Sequence, residues 1–422
     1  MLFAGEYLER KERCAMKICV VGLGYIGLPT ALMLAAHGAD VVGVDYNAQL
    51  IQTLQKGELT FEEKGLGELF AQALSGGIVF SETYEKADIY IVAVATPYDR
   101  QTKKIDPSYV ISAMKSVLAV CPKGATVVVE STVSPGTIDH EVRPLLQAAG
   151  LRIGEDIHLI HAPERIIPGN MIHELRYNSR TMGADDAAIG EKIKEMYSSF
   201  CQGQIVITDI RTAEMTKVVE NTYRDINIAF ANELAKICRS DDMDVYEIIR
   251  IANLHPRVNI LQPGPGVGGH CISVDPWFLV GDYPCEAKLI RSAREINDSM
   301  PAFVLGRIRE IMKERGIAAY SRVGLYGLTY KENVDDTRES PALQLLELMK
   351  SKGMQEVQTY DPFVKGKLSA GQHFWLQSFL DACDLVVVLV GHEELLSNLQ
   401  ALQGKAILDT RHISGLEAAY TL

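Results

Sequence analysis

A single cysteine, Cys271, lies in a loop whose composition is typical of a binding site. Glycines at positions 264, 266, 268 and 269 precede it, and a carboxylate, Asp275, follows four residues later. Glycine lets the backbone adopt positive φ and approach a ligand closely, which a packed core does not require. The loop therefore predicts a thiol nucleophile in a pocket. The alternative is a half-buried, inert thiol in a surface loop.

A second polar set lies on one predicted helix, which extends without proline or glycine from Arg211 to about Arg239. Lys217 and Asn221 are four residues apart and therefore share one face of this helix, and Arg224 follows nearly in line. The pattern favours a functional face, with a solvated charged stripe as the alternative.

A glycine fingerprint near the start of the chain predicts dinucleotide binding. The fingerprint lies between a predicted strand that begins at Lys17 and a predicted helix. The next predicted strand ends at an acid, Asp45. Gly22 permits a tight turn, Gly24 lets a pyrophosphate approach the helix N-terminus, and Gly27 permits close packing of helix on strand. Because a carboxylate accepts bonds from ribose hydroxyls and repels a 2′-phosphate, the sequence favours NAD over NADP.

Three further predicted strands end on polar residues. Ile89 to Ala95 is followed by Thr96, Thr126 to Val129 by Thr132, and a strand ending at Ile160 by Glu164 and Arg165. Loops at the carboxyl ends of strands in a doubly wound sheet form the ligand crevice, so these side chains are predicted to meet the cofactor or the substrate. For the two threonines, a simple turn cap is the alternative.

The alternation of strands and helices stops near Thr208, gives way to helices, and resumes from about residue 316. The predicted fold is α/β, with two Rossmann-like doubly wound domains joined by a central all-helical domain. The predicted ranges are an N-terminal extension at 1–15, an NAD-binding domain at 16–208, a central helical domain at 209–315 and a smaller C-terminal Rossmann-like domain at 316–422. A loop that contains Lys331 and Arg338 follows a strand of the last domain and indicates a site for a phosphate or nucleotide. A solvated basic loop is the alternative.

Composition excludes several classes of protein. The chain of 422 residues has a formal net charge of −12 and no basic run, which argues against nucleic-acid binding. Its apolar runs are too short to span a bilayer, and the first fifteen residues have no signal-peptide pattern. Eight cysteines without a Cys-x-x-Cys pair indicate neither disulfides nor a metal site, so a reducing cytoplasm is expected.

From Lys17 into the C-terminal domain the sequence resembles the nucleotide-sugar 6-dehydrogenases of the UDP-glucose/GDP-mannose type. The motifs that show this resemblance are Gly22-Leu-Gly-Tyr-Ile-Gly27, Glu130-Ser-Thr-Val-Ser-Pro-Gly-Thr137, Ala162-Pro-Glu-Arg165, Lys217-x-x-x-Asn221, Gly268-Gly-His-Cys271-x-x-x-Asp275 and Gly327-Leu-Thr-Tyr-Lys331. The stretches around Asn221 and Cys271 are most similar to the branch that oxidises UDP-N-acetylhexosamines. Ser273, where proline or alanine is common in the family, and residues 1–15 depart from the pattern.

The resemblance implies an NAD-dependent, two-step oxidation of a sugar 6-hydroxymethyl group to a carboxylate, in polysaccharide biosynthesis. UDP-N-acetyl-D-mannosamine is the implied substrate, and UDP-N-acetylglucosamine or another UDP-hexose is the alternative. Cys271 is implied to form a thiohemiacetal and then a thioester, with Lys217 as acid/base or oxyanion stabiliser beside Asn221. Thr132 and Glu164 are implied to orient the hydroxyl and the water, and either Asp275 or Glu164 to activate that water.

The resemblance implies that the central domain provides the substrate pocket and dimerises and that the C-terminal domain binds the UDP-sugar. It also implies which residues bind each ligand. For NAD they are the fingerprint glycines with Tyr25, Ile26, Asp45, Thr96, Thr132 and Arg338. For the nucleotide sugar they are Glu164, Arg165, Ile166, Lys217, Asn221, Arg224, His255, Arg257, Gly268, Tyr330 and Lys331. Arg257 is expected from a neighbouring subunit, because the family assembles through its middle helices into a homodimer or larger oligomer.

Three other functions are alternatives to this assignment, and the sequence argues against one of them. A β-hydroxyacid dehydrogenase also joins an NAD domain to a helix with Lys-x-x-x-Asn, but it performs one oxidation and needs no thiol. An NAD-using epimerase requires a Tyr-x-x-x-Lys after the fingerprint, which the sequence lacks. A catalytically silent nucleotide-binding scaffold is the alternative outside enzymes.

Overall fold

The computed structural model describes residues 16–413, 416 and 420–422. The predicted N-terminal extension, residues 1–15, lies outside the described residues. The described chain divides into two compact units, with the division between Val219 and Glu220. Each unit contains one sheet, and we describe each unit by itself.

The first unit contains an eight-stranded sheet in the order β3-β2-β1-β4-β5-β6-β7-β8. Its strands are β1 Lys17–Val21, β2 Asp40–Val44, β3 Val79–Ser81, β4 Ile89–Val92, β5 Ala125–Val129, β6 Ile157–His161, β7 Arg180–Ala184 and β8 Ile205–Thr208. Strands β4 and β5 are buried at every residue, as expected for parallel strands covered on both faces by helices. All pairs are parallel except β6 with β7.

Helices connect the strands of this sheet. They are α1 Gly27–Ala36, α2 Ala48–Gln55, α3 Leu66–Ser75, α4 Ser108–Leu118, α5 Arg143–Ala148, α6 Met171–Tyr177 and α7 Ala187–Ser198, and a short π-helix at Ile138–Val142 precedes α5. The strand order reverses between β1 and β4. Ligands of open α/β sheets bind at such a switch point, outside the carboxyl ends of the strands.

The second unit combines helices with a smaller sheet. After the 31-residue helix α8 Ile210–Ser240, which spans the division, come α9 Val245–Ala252, α10 Asp275–Asp282, α11 Lys288–Asp298 and α12 Met300–Arg315. The sheet has the order β10-β9-β11-β12-β13, all pairs parallel. Its strands are β9 Val323–Tyr326, β10 Gln358–Tyr360, β11 Leu385–Val388, β12 Ala406–Asp409 and β13 Tyr420–Thr421, with helices α13 Pro341–Ser351, α14 Leu376–Ala382 and α15 Glu393–Ser397. Short 3₁₀ turns lie at Tyr320–Arg322 and Leu399–Leu402.

The two sheets share one local turn. Gly22, after β1, has φ +90° and donates from its backbone N–H to Val44 O over 2.8 Å. Gly327, after β9, has φ +88° and donates to Tyr360 O over 2.9 Å. Both sheets therefore begin with the same glycine turn, although only the first has the full glycine fingerprint.

The α/β fold class is confirmed: a Rossmann-like domain, a helical middle and a C-terminal sheet domain follow one another along the chain. The exact domain boundaries stay predictions. Within the helical middle, α11 and α12 are separate helices that meet at Ser299. Pro301 lies in the first turn of α12, where its missing N–H is harmless, whereas in a continuous helix it would break the ladder.

Candidate active site

The glycine loop after β1 is shaped by two contacts and one open space. A Cβ added to Gly22 would lie 2.6 Å from Ala93 O, and one added to Gly27 would lie 1.9 Å from Gly22 O. At Gly24 an added Cβ would meet no atom of the described residues within 4 Å. Gly22 and Gly27 are therefore required by packing, whereas Gly24 borders open space before the N-terminus of α1.

Asp45, directly after β2, is tied to this loop. One of its carboxylate oxygens accepts the N–H of Leu23 over 2.8 Å and the other accepts that of Asn47 over 2.9 Å. Its side chain remains partly exposed. Tyr25 lies against Phe61, with ring centroids 4.4 Å apart, and Ile26 is the residue before α1. The glycine loop and Asp45 thus form one connected structure at the carboxyl ends of β1 and β2.

The loops after β4 and β5 are joined by a side-chain hydrogen bond. Ser131 Oγ donates to Val94 O over 2.7 Å. Thr96 in the first loop is buried, and Thr132 in the second is partly exposed. Both threonines therefore belong to one connected edge of the first sheet.

Glu214 of α8 holds the loop that follows Thr132. Its two carboxylate oxygens accept the backbone N–H groups of Gly136 over 2.6 Å and Ile138 over 2.9 Å, at the start of the π-helix. Burial raises the pKa of Glu214 to about 7. Lys217, buried like Glu214, follows three residues later in the same helix. The loop is thus fixed to the helix that contains the proposed acid/base.

A buried charge cluster surrounds Glu164. Arg180, at the start of β7, makes an ion pair with Glu164, and its guanidinium lies 3.6 Å from Glu130 at the end of β5. Tyr197 donates to Glu130 over 2.7 Å, and its ring lies beneath the guanidinium at 4.6 Å. Burial, opposed by Arg180, raises the pKa of Glu130 to about 7. Arg180 thus orients Glu164 and neutralises part of the buried negative charge.

Arg165 and Ile166 follow Glu164 but have different surroundings. The Arg165 guanidinium donates to Ser179 O over 2.9 Å and to Thr181 Oγ1 over 2.7 Å, which holds it at the start of β7. Ile166 is buried. The Arg165 backbone N–H donates to Glu164 Oε1 over 2.7 Å, so the backbone at this strand end also orients the acid.

In the second unit, Cys271 and Asp275 form one local structure with Asn221. Asn221 Nδ2 donates to Asp275 Oδ2 over 2.6 Å, and both side chains are buried. The backbone N–H of Asp275, the first residue of α10, donates to Cys271 O over 2.9 Å. Cys271 itself is exposed. An accessible thiol is therefore placed one helical turn from a buried, hydrogen-bonded carboxylate.

Asparagine side chains hold the segment before the cysteine loop. Asn227 Oδ1 accepts Leu261 N over 2.9 Å, and Asn232 Oδ1 accepts Gly264 N over 2.8 Å. Both asparagines lie on α8. Because an amide matches the donor and acceptor pattern of the backbone, these side chains satisfy loop groups that no strand pairs.

The glycines next to Cys271 pack against the loop after β9. A Cβ added to Gly268 would lie 2.8 Å from Tyr330 Cβ, and one added to Gly269 would lie 2.9 Å from the Tyr330 ring. The Gly269 N–H donates to Arg338 O over 3.0 Å. These glycines are therefore required by the close approach of Tyr330.

The other predicted residues of this unit lie nearer solvent. Arg224, His255, Arg257 and Arg338 are exposed, and Lys331 is partly exposed. The Arg338 guanidinium donates to Asp336 Oδ2 over 2.7 Å.

Arg180 and Glu214 were not predicted from the sequence. The sequence feature that could have identified Arg180 is a charged residue at the first position of an apolar strand. No sequence feature distinguishes Glu214, because an isolated acid on a helix is common.

Three family models match consecutive parts of the chain. They describe the UDP-glucose/GDP-mannose dehydrogenase family: its NAD binding domain at residues 16–201, its central domain at 211–299 and its UDP binding domain at 324–415. The chain belongs to this family.

Individual relatives agree with this assignment. A UDP-N-acetyl-D-mannosamine dehydrogenase of Methanocaldococcus jannaschii is 42% identical over 418 residues, which cover 96% of this chain and 95% of the relative. An NDP-N-acetyl-D-galactosaminuronic acid dehydrogenase of Ralstonia nicotianae is 41% identical over 409 residues, covering 93% and 95%. The solved UDP-N-acetyl-mannosamine dehydrogenase of Staphylococcus aureus is 44% identical, with a TM-score of 0.86 and coverage of 96% and 97%.

Membership of the family confirms the prediction of an NAD-dependent nucleotide-sugar dehydrogenase, an oxidoreductase. The open space at Gly24 and the partly exposed carboxylate of Asp45 fit a dinucleotide, since a side chain at position 24 would fill the space that a pyrophosphate needs. Among the described residues, no group of three His, Cys, Asp or Glu side chains is arranged to hold a metal ion. Within the same part of the chain, no helix has the length and apolar character to cross a bilayer.

Proposed function

We propose that the chain oxidises C6 of UDP-N-acetyl-D-mannosamine to a carboxylate in two steps, through a thioester on Cys271. One relative is named for UDP-N-acetyl-D-mannosamine and another for an NDP-N-acetyl-D-galactosaminuronic acid. Both names contain an N-acetylated amino sugar linked to a nucleotide, which supports this class of substrate. The structural observation that supports the thioester is the exposed thiol of Cys271, held one turn before the buried Asn221–Asp275 pair. The product is UDP-N-acetyl-D-mannosaminuronate.

The first oxidation requires removal of the C6 hydroxyl proton. Lys217, buried on α8, is the proposed acid/base, and Asn221, one turn later, is the proposed partner of the developing oxyanion. When held by the loop at Gly22–Gly27, NAD would supply the hydride acceptor for both oxidations. Thr132, in the loop after β5, is proposed to orient the hydroxyl together with Glu164.

The thiol of Cys271 retains the aldehyde formed in this step. Sulfur bonds to C6, the carbonyl oxygen takes a proton, and the product is a thiohemiacetal. In the second oxidation the thiohemiacetal loses its hydroxyl proton and its remaining C6 hydrogen and becomes a thioester. Water then attacks C6, the C–S bond breaks, and the carboxylate and the free thiol are released.

Two carboxylates are candidates to activate this water. Asp275 accepts from Asn221, and Glu164 is held by Arg180 and by the backbone of Arg165. A base needs an oriented lone pair, and each of these networks orients one carboxylate. Glu164→Gln and Asp275→Asn distinguish the two carboxylates. The variant that lacks the water-activating base should produce a burst of NADH and then accumulate the thioester, because hydrolysis is slowed.

The remaining sequence-derived assignments stay proposals. Arg165, Ile166, Arg224, His255, Arg257, Gly268, Tyr330 and Lys331 are proposed to bind the nucleotide sugar, and Arg338 to bind NAD. Asp45 is proposed to select NAD over NADP, since its carboxylate would face the 2′-position of the ribose. All cysteines described in the structure are free thiols, which is consistent with the proposed cytoplasmic location.

A homodimer or larger assembly is proposed through the central helices. Tyr223, Phe230 and Ile237 are seven residues apart on α8 and expose 64%, 49% and 51% of their surface. Residues seven apart share one helix face, so these large apolar side chains form a stripe. Sedimentation of wild type and of a Phe230→Asp variant tests this, because a charge in a buried stripe dissociates the oligomer.

The substrate is tested by a panel of UDP-hexoses ranked by kcat/KM with NAD. We expect UDP-N-acetyl-D-mannosamine to rank first, ahead of UDP-N-acetylglucosamine, UDP-N-acetylgalactosamine and UDP-glucose. A higher value for any of the other three overturns the assignment of the sugar and leaves the reaction type intact.

A further inference from the structure

A buried Asp–His pair lies behind the loop that follows β9. Asp361, directly after β10, and His392, between β11 and α15, are fully shielded from solvent in their side chains. His392 Nε2 lies 3.1 Å from Asp361 Oδ2, and its other ring nitrogen, Nδ1, accepts the N–H of Asn333 over 3.0 Å. Because Nδ1 accepts, Nε2 has the proton and donates to the carboxylate.

Asp361 occupies the place that Asp45 has in the first sheet. Each acid directly follows the second strand of its sheet, and each accepts a backbone N–H from the residue after the glycine turn: Leu23 for Asp45, and Leu328 over 2.6 Å for Asp361. Asp45 remains partly exposed, whereas Asp361 is covered by His392. In the second sheet the acid is thus an internal anchor.

Asp361 and His392 together hold both ends of one loop. Asp361 Oδ2 binds the N–H groups of Leu328 and Thr329 at the start of the loop. His392 Nδ1 binds Asn333 at its end, and Asn333 Oδ1 in turn accepts the N–H of Glu393 over 3.0 Å. Tyr330 and Lys331, both proposed to bind the nucleotide, lie between these two fixed points.

Tyr330 connects the loop to the thiol. Its side chain lies so close to Gly268 and Gly269 that a Cβ on either glycine would come within 3 Å of it. Cys271 follows two residues later. A displacement of Tyr330 therefore changes the space available to the backbone that positions the sulfur, because closely packed groups cannot move independently.

We propose that His392 is a positioning residue for Cys271 that acts through Tyr330, so that binding of the nucleotide to the loop at 328–333 also changes the reactivity of the thiol. This rests on the proposed function in its assignment of Tyr330 and Lys331 to the nucleotide. The ligand needed for the effect is the uridine diphosphate moiety alone, without the sugar.

The test is the alkylation rate of Cys271 by iodoacetamide, resolved by peptide mass spectrometry, with and without saturating UDP. Cys285, which is also exposed, is the internal control thiol. In wild type we expect UDP to change the Cys271 rate by about fivefold or more and to leave the Cys285 rate unchanged. His392→Leu removes both ring contacts and should abolish the UDP effect on Cys271.

Two further variants separate positioning from folding. His392→Gln keeps a donor for Asp361 and an acceptor for Asn333 and should restore the UDP effect. His373→Leu is the matched control, because its ring bonds Gln358 and Ser378 in the same domain, and it should behave as wild type. If His392→Leu fails to fold, Tyr330→Ala breaks the other end of the contact and should abolish the effect.

An unchanged UDP effect in folded His392→Leu, or in Tyr330→Ala, overturns the proposal. So does an absent UDP effect in wild type with UDP shown to bind. The readout is independent of turnover, so failure of the thioester mechanism, seen as activity in Cys271→Ala, is distinguishable from failure of this coupling.

Discussion

Asn221 donates its side-chain amide proton to Asp275 across 2.6 Å, and both side chains are shielded from solvent. The bond joins the long helix α8 to the first residue of α10, which begins four residues after Cys271. The same residue that is proposed to meet the oxyanion therefore also fixes the helix behind the thiol loop.

Asn221→Ala should lower the free energy of unfolding by about 1 to 3 kcal/mol, because Asp275 loses its buried donor. Urea unfolding measures this, with Glu233→Ala, an exposed change on the same helix, as a control near zero. Asn221→Asp should cost more at pH 7 and recover as the pH falls to 5, since two adjacent carboxylates accept one proton. Equal stability of Asn221→Ala and Glu233→Ala contradicts the role given to this bond.

Cys271→Ala should abolish formation of the sugar acid, because no thioester is formed. Loss of a covalent nucleophile lowers kcat by about a thousandfold or more. Carboxylate production, followed by mass spectrometry of the nucleotide sugar, measures this. Cys285→Ala removes the second exposed thiol of the described residues and should leave kcat within about twofold, as expected for a surface change outside the site. Carboxylate formation at the wild-type rate in Cys271→Ala rules out the covalent step.

Glu214 gives a prediction about pH and stability. Because burial raises its pKa from 4.5 to about 7, the folded state binds a proton that the unfolded state releases above pH 4.5. The contribution is complete below pH 4.5 and is lost as the pH rises through 7, for a total of about 3 kcal/mol at most. Glu214→Gln cannot titrate, so its free energy of unfolding should lack this component between pH 4.5 and 7.

Unfolding midpoints in urea at four pH values from 4.5 to 8 measure the difference between wild type and Glu214→Gln. Other buried acids, such as Asp225, titrate in both proteins and cancel in the difference. A difference that does not vary with pH contradicts the raised pKa.

Gly24 and Gly22 should respond differently to substitution. Gly24→Ala adds a methyl group to open space, so stability should change little while the Kd for NAD rises, because the cofactor needs that space. Gly22→Ala places a methyl group 2.6 Å from Ala93 O at φ +90° and should destabilise the fold by about 1 to 3 kcal/mol. Thermal unfolding and NAD titration separate the two effects. An unchanged Kd for NAD in Gly24→Ala contradicts the cofactor site.

Local periodicity predicted the repeating elements of the chain. The helix predicted from Arg211 to about Arg239 is observed at Ile210–Ser240, because a long segment without proline or glycine has no local interruption. The predicted strand from Ile89 to Ala95 ends at Val92, since the glycine turn at Gly22 occupies the space beside Ala93. That contact joins residues some seventy positions apart and has no local signal.

The polar networks were the least predictable part of the site. The residue types at positions 217, 221, 271 and 275 indicated chemistry because their spacing and glycine neighbours are unusual. Arg180, Glu214 and His392 contribute through partners distant in sequence, at Glu164, Gly136 and Asp361. Which distant groups meet depends on the order of the strands in the sheet and on the antiparallel pairing of β6 with β7. Local patterns in a single sequence reveal neither.

The number of NADH molecules formed per molecule of UDP-N-acetyl-D-mannosamine consumed tests the central proposal most directly. NADH absorbance and chromatographic quantification of the nucleotide sugar measure it in one reaction. A ratio of two, with the sugar acid as the only product, is the expected result, because each of the two oxidations at C6 yields one NADH. A ratio of one, with the aldehyde or another product released, contradicts the two-step mechanism through Cys271.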